Sequence, residues 1–307
     1  IGKKIIRTVG IPHDRFQEDA LRMLRAIRIS VQLHFEIDPD TYKAIKKNSV
    51  LIQHVSWERI RDEFLKMLSS EQPATAIEIL DQTHLLEHVL PELIETKGVA
   101  QGGHHTTDVW THSVDALRSC PSNDAIVRLA TLLHDISKPK TYSRTKTTIT
   151  FYNHEVIGAR VAKKIADRLK LSKRDAQRIF ILVRHHMFYY QPDLSDAAIR
   201  RFMRKVGLEN INDILDLRIG DRLGSGSKET SWRLEEMKER MQSQLHQPFS
   251  IGDLKVNGND LMKELYIKPG PSLGKILQHL FEKVLETPEL NEKRTLLEEA
   301  KAYSSLS

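Results

Sequence analysis

The sequence predicts an all-α fold, and three observations carry that expectation. Apolar residues recur at spacings of three and four through most of the chain, as one face of a helix requires. The one convincing strand-like run, KTTITFYN at 146–153, is too short to build a sheet around. Gly- and Ser-rich stretches mark the joins between helical blocks. The 307 residues leave room for two or three domains. With 40% hydrophobic and 29% charged residues, the composition is that of a soluble globular protein. No apolar run approaches the roughly 20 residues of a membrane helix, and nothing resembles a secretory leader, so no membrane partner is expected. Cys120, the only cysteine, excludes an internal disulfide framework and fits a reducing cytosol, which makes a cytoplasmic location the expectation. A net charge of +6 favours a polyanionic partner such as RNA.

The elements follow in order. The opening IGKKIIRTVG reads as mid-chain sequence, so an upstream part is expected. RFQEDALRMLRAIR, residues 15–28, predicts one unbroken helix with Asp14 as its cap and Gln17 completing a capping-box variant. Arg15, Glu18, Asp19, Arg22 and Arg25 share one stripe, while Phe16, Ala20, Leu21, Met23, Leu24 and Ile27 cover the opposite side. By periodicity alone the charged stripe is a solvated face with a Glu18–Arg22 pair. Helices are also predicted over DTYKAIKKN, WERIRDEFLKMLSS and PATAIEILDQTHLLEHVLPEL. Asp38 and Asp40 have the spacing of a metal-binding carboxylate pair, but no Gly-Ser loop precedes them, so helix capping is expected. TKGVAQGGHHTTD closes a first block, 1–103, and DRLGSGSKETS a second, 104–227. In 228–307, turn signals at Asn257-Gly258 and Pro269-Gly270-Pro271 alternate with short helices.

The middle block carries an ordered series of histidines and aspartates in THS, LLHDISKP, YNHEV, RHHMF and GDRLG. Imidazole and carboxylate together suit a divalent first-row ion or magnesium. His134-Asp135 ends the apolar run ATLLHD, which places the pair on a rigid helix, and Lys138 follows at HDxxK spacing. This pattern resembles the HD phosphohydrolase superfamily, whose H…HD…D motif lies on an all-helical core; the matching residues are His112, His134, Asp135 and Asp221. His154 and His186 match positions where some HD enzymes hold a second metal, with His185 an open alternative to His186. The resemblance implies a divalent ion (Mg²⁺, Mn²⁺ or Ni²⁺) that lowers the pKa of bound water and polarises a phosphoryl oxygen. Lys138 then either neutralises the phosphate or is a solvated lysine beside Pro139. His104 and His105 are expected to be exposed in the glycine loop.

The charged stripe has a second reading. Glu18-Asp19-Ala20-Leu21-Arg22 reproduces the EDxxR motif in the neck of bacterial tRNA nucleotidyltransferases (CCA-adding enzymes) and related poly(A) polymerases. The resemblance implies that Asp19 and Arg22 hydrogen-bond the Watson–Crick edge of CTP or ATP while Glu18 orients Arg22. Arg25 and Arg28 are open to phosphate contact or solvation. SWERIRDEFLKML and LLEHVLPEL resemble that family's neck and body, and LKVNGNDLM, PGPSLGKIL and PELN its tRNA-gripping tail. The resemblance covers nearly the whole chain except the family's catalytic head, with its Gly-Ser loop and carboxylate pair. The expected layout is a neck and body over 1–103, an HD domain over 104–227 and a tRNA-binding tail over 228–307. The expected function is the C-terminal portion of a CCA-adding enzyme, with tRNA, nucleotides and the missing N-terminal head as partners. The alternatives are a free-standing HD nucleotide phosphohydrolase and a non-catalytic RNA-binding subunit that complements a separate head.

Overall fold

The structure is a computed structural model that describes residues 4–102, 107–145, 148–188, 190–227 and 231–306. Helices dominate, as predicted, and the chain divides into two compact units. The first contains residues up to Phe188 together with Asn210–Glu229; the second contains Tyr189–Glu209 and Thr230 onward.

In the first unit the order is β1 (Ile5–Ile6), α1 (Pro12–Glu18), α2 (Leu21–Leu33), β2 (Glu36–Ile37), α3 (Pro39–Asn48), α4 (Trp57–Leu68) and α5 (Pro73–Gln82). Then come α6 (Leu86–Val89), α7 (Pro91–Ile94), α8 (Val109–Ser119), α9 (Ala125–Leu133), α10 (Lys138–Thr141), β3 (Ser143–Arg144) and β4 (Ile149–Thr150). Helices α11 (His154–Arg168) and α12 (Lys173–His185) follow; α13 (Asp196–Val206) lies in the second unit, and α14 (Ile211–Gly224) returns to the first. The second unit continues with α15 (Trp232–Gln244), α16 (Gly258–Leu265), α17 (Pro271–Glu286) and α18 (Lys293–Leu306). Both strand pairs are only two residues long, β1 with β2 parallel and β3 with β4 antiparallel. The strand-like run therefore contributes one arm of a minimal hairpin.

Two sequence expectations are corrected. The run 15–28 is two helices, broken at Asp19, whose backbone is extended (φ −153°). Asp19 Oδ1 accepts the Leu21 N–H at 3.2 Å, the kind of local bond by which Asp competes with helix continuation. Helix α1 begins at Pro12 after Ile11 with no side-chain cap, so Asp14 caps nothing, and Gln17 pairs with His13 instead. Helix α4 packs on α9 and α5 on α8, so residues on both sides of position 103 lie in the first unit, and residues 190–209 lie in the second.

Asp38 caps α3 by accepting the Thr41 N–H, as the sequence suggested. Asp108 and Asp124 cap α8 and α9 in the same way, which fixes where the two histidine-bearing helices start. Every side chain of α9 from Ile126 to Leu133 is buried, and each fully buried large apolar one contributes about 1.5–3 kcal/mol relative to exposure. In the second unit Leu261, Leu280, Phe281, Val284 and Leu296 form a core of their own. There Asn257 and Asp260 form a capping box, so the Asn257-Gly258 turn signal is the start of α16, and Gly270-Pro271 starts α17.

Candidate metal centre and neck site

Five helices deliver six side chains to one buried cluster. His112 lies in α8, His134 caps α9 with Asp135 next to it, His154 opens α11, His186 caps α12, and Asp221 sits in the last turn of α14. His112 Nε2 is 3.0 Å from His134 Nε2. Asp135 Oδ2 lies 3.4 Å from the first and 3.2 Å from the second. Asp221 Oδ1 joins this group at 3.2 Å from His112 and 3.6 Å from His134. Asp135 Oδ1 faces the other way, 3.4 Å from His154 Nε2 and 3.8 Å from His186 Nε2. One carboxylate therefore belongs to two ligand groups.

The donor chemistry fits a cation. His134 Nδ1 donates to Thr131 O at 2.7 Å, His154 Nδ1 to Phe151 O at 2.8 Å and His186 Nδ1 to Val183 O at 2.7 Å. A carbonyl only accepts, so each Nδ1 carries a proton, and in the neutral form of each ring the lone pair of Nε2 faces inward. The Nε2 atoms of His154 and His186 then face each other as acceptors 3.3 Å apart, an arrangement that a shared cation relieves. The ligand atoms of His112, His134 and Asp135 lie within 4.8 Å of one another, as do those of Asp135, His154 and His186.

Electrostatics point the same way. Burial works against every charge in the cluster, yet the Asp135 and Asp221 carboxylates lift His134 to about 10 and push His112 up as well. Burial and the neighbouring His134 pull His186 down to about 3. Both carboxyls lie well below the usual range despite burial, Asp135 through His134 and Lys138 and Asp221 through His112 and His134.

Lys138 is buried, not solvated: its Nζ donates to Gln101 Oε1 at 2.5 Å, lies 2.6 Å from Asp135 Oδ2, and sits 5.3 Å above the Phe151 ring. Arg218 Nη1 donates to Asp221 Oδ2 at 3.0 Å and to His186 O at 3.1 Å, tying α14 to the end of α12. Sequence reasoning missed both Gln101 and Arg218; for Arg218 the available signal was its place one turn before Asp221. His185 is in neither ligand group. His104 and His105 lie outside the described residues.

The close approach of α8 and α14 depends on two glycines. A Cβ on Gly224 would lie 2.6 Å from Ala116 N and 2.9 Å from His112 O, and one on Gly220 would lie 2.7 Å from Ala116 O. Both helices can therefore meet backbone to backbone, which sets Asp221 against His112.

At the neck, Glu18 binds Arg22 at 2.6 Å and Arg15 at 2.9 Å, and the two guanidinium groups hold its pKa low. Arg22 also donates to Arg15 O at 3.1 Å, across the helix break. Asp19 is partly desolvated, yet Arg59 Nη2, donating at 2.9 Å from α4, holds its carboxyl below the ordinary range. Asp19 and Arg22 are thus placed by a helix break and not by an i,i+3 face. Arg25 and Arg28 both pair with Glu63, at 3.3 and 2.5 Å, which accounts for this buried carboxylate; the sequence had left both arginines to phosphate or solvent. Arg15 and Arg22 line a cavity of about 310 Å³ with Thr8 and Val9.

Comparison with known proteins gives this geometry a context. Residues 143–300 match the family model for tRNA nucleotidyltransferase domain 2, and residues 34–96 match one described as "Probable RNA and SrmB- binding site of polymerase A". The chain is 34% identical over 296 residues to the A-adding tRNA nucleotidyltransferase of Deinococcus radiodurans, covering 91% of this chain and 67% of that protein. The chain belongs to the tRNA nucleotidyltransferase family. Another member, the CCA-adding enzyme of Ligilactobacillus salivarius, is 27% identical over 97% of this chain and 63% of its own length. The fold is shared with the crystal structure of the Bacillus stearothermophilus CCA-adding enzyme in complex with CTP, at a TM-score of 0.64 and 24% identity, over all of this chain and 68% of that one. The chain spans about two thirds of the length of these nucleotidyltransferases. Among the described residues no helix is long and apolar enough to cross a membrane.

Proposed function

We propose that this chain is the base-selecting and tRNA-binding portion of a CCA-adding type nucleotidyltransferase, with a divalent-metal-dependent phosphohydrolase centre built into its helical body. The observation that carries the phosphohydrolase part is Asp135, a buried carboxylate whose two oxygens face two separate histidine pairs, one of them two opposed acceptors. His112, His134, Asp135 and Asp221 would hold one divalent ion, and Asp135, His154 and His186 a second. Such ions supply a polarised phosphoryl oxygen and an acidified water. The chain's own residues do the rest. The three Nδ1–carbonyl bonds lock the imidazole tautomers, Arg218 fixes Asp221, and Lys138 fixes Asp135 while bordering the cavity where a phosphate would collect charge. The substrates of this reading are 2′,3′-cyclic phosphates or phosphomonoesters, on RNA ends or nucleotides. Hydrolysis adds water across one P–O bond, so that the water oxygen joins phosphorus and the departing ribose oxygen takes a proton.

For the neck, the reading gives Asp19 and Arg22 the base edge of CTP or ATP and Glu18 the orientation of Arg22. A carboxylate accepts from an exocyclic amine and a guanidinium donates to ring acceptors. This reading leaves the carboxylate pair for nucleotidyl transfer to a separate head domain. Assay with adenosine 2′,3′-cyclic phosphate in Mg²⁺, Mn²⁺ or Ni²⁺ tests the phosphohydrolase part: turnover lost in His134→Ala supports it, and no turnover with any ion overturns it. Binding of tRNA that weakens steeply with salt supports the RNA part, since Lys and Arg contacts to phosphate release counterions.

A further inference from the structure

The metal-ligand candidates have sequence neighbours that line the adjoining cavity, whose volume is about 440 Å³. That is the size of a small-molecule pocket. Met187 follows His186, Arg222 follows Asp221, and Tyr152 precedes His154 by two residues. The positions of these three are therefore set by the same helix ends that set the ligands. Tyr152 is 77% exposed and Met187 55% exposed, although the cluster beside them is buried. Tyr152 is also held in place. Asn153 next to it takes a left-handed φ of 61°, and its carbonyl accepts the N–H groups of Val156 and Ile157, so the ring rides on a fixed turn at the start of α11. Phe151 extends the apolar wall, and the lining carries Lys138 and Arg222 beside the carboxylates of Asp135 and Asp221, with Lys138 paired to Asp135 at 2.6 Å.

A cavity whose floor would attract an anion once the divalent ions of the proposed centre are bound, with a flat aromatic ring at an apolar rim, matches a molecule with a phosphate at one end and a planar base at the other. We propose that Tyr152, with Met187, determines substrate specificity at this centre by stacking on the base of a nucleoside phosphate ester whose phosphate lies toward the metal ligands and Arg222. The inference rests on the phosphohydrolase reading. Stacking accepts any base, because each has a π-face, so Tyr152 selects for the presence of a base and not for its identity.

The test uses the full chain with Mn²⁺ and two phosphomonoesters of secondary alcohols, adenosine 3′-monophosphate and glycerol 2-phosphate. In Tyr152→Ala the Kd for adenosine 3′-monophosphate by titration calorimetry rises about tenfold, as expected for a lost base–aromatic stack. The Kd for glycerol 2-phosphate stays within twofold, and Tyr152→Phe restores the binding of adenosine 3′-monophosphate. With adenosine 2′,3′-cyclic phosphate, KM rises to a similar degree and kcat holds. Equal weakening of both monoesters, or of neither, overturns the stacking role. Base-dependent binding through Tyr152 with no turnover of any phosphate ester supports the stacking role and overturns the phosphohydrolase reading.

Discussion

Asp135 ties the two ligand groups of the proposed centre together, since its two carboxylate oxygens lie 3.2 Å from His134 and 3.4 Å from His154. Replacing Asp135 by Asn removes the shared charge without changing shape, and Mn²⁺ affinity by calorimetry is expected to fall at least tenfold, about 1.4 kcal/mol. His186→Ala is expected to weaken binding as well, whereas His185→Ala leaves it within twofold, because only His186 lies in a ligand group. Equal effects of the two histidine variants would contradict this assignment. At the neck, Arg59 holds Asp19 from another helix. Arg59→Ala is expected to weaken CTP binding about tenfold with little loss of thermal stability, since the pair is largely exposed. Unchanged CTP binding would show that Asp19 needs no partner.

At the scale of elements, the centre depends on how closely α8 and α14 approach. Gly224→Ala would put a Cβ against the Ala116 backbone and is expected to cost about 1–3 kcal/mol of stability. It should also weaken Mn²⁺ binding by moving Asp221 away from His112, while an alanine at the exposed Gly274 has neither effect. Much of this centre was legible through a resemblance: the H…HD…D pattern of the HD phosphohydrolases and its second-metal positions singled out His112, His134, Asp135, His154, His186 and Asp221, whose side chains the fold brings together. The role of Gly220 and Gly224 was not legible, because a glycine that permits helix contact reads the same as one that ends a helix. Nor was the break at Asp19. An i,i+3 pattern continues smoothly through residues 15–28, and only the Asp19–Leu21 and Asp19–Arg59 bonds, one of them 40 residues distant, reveal the interruption. Arg128 was equally silent. It reads as an arginine on an apolar helix, yet its Nη1 donates to Leu68 O and Ser70 O, both at 2.6 Å, joining the end of α4 to α9. Arg128→Met should cost about 2–3 kcal/mol by leaving buried carbonyls unpaired, measured by urea unfolding.

At the scale of the whole molecule, the neck and the proposed metal centre lie in one compact unit. A fork from Arg168 to Glu92, at 2.6 and 2.7 Å, links α11 to α7 across position 103. Burial raises the Glu92 pKa, but Arg168 outweighs it and the net shift is downward. A depressed folded pKa gives stability that is present above the unfolded value near about 4.3 and is lost as pH falls through the folded one. Arg168→Ala should therefore lower the melting temperature at pH 7, and the deficit should shrink between about pH 5 and pH 3. A deficit independent of pH would assign the effect to the contact of Arg168 with Trp57 instead. The most direct measurement for the account is anomalous diffraction from crystals of the whole chain soaked in Mn²⁺. One peak is expected among His112, His134, Asp135 and Asp221 and a second among Asp135, His154 and His186; an absence of density at both positions in millimolar Mn²⁺ would contradict a metal centre there.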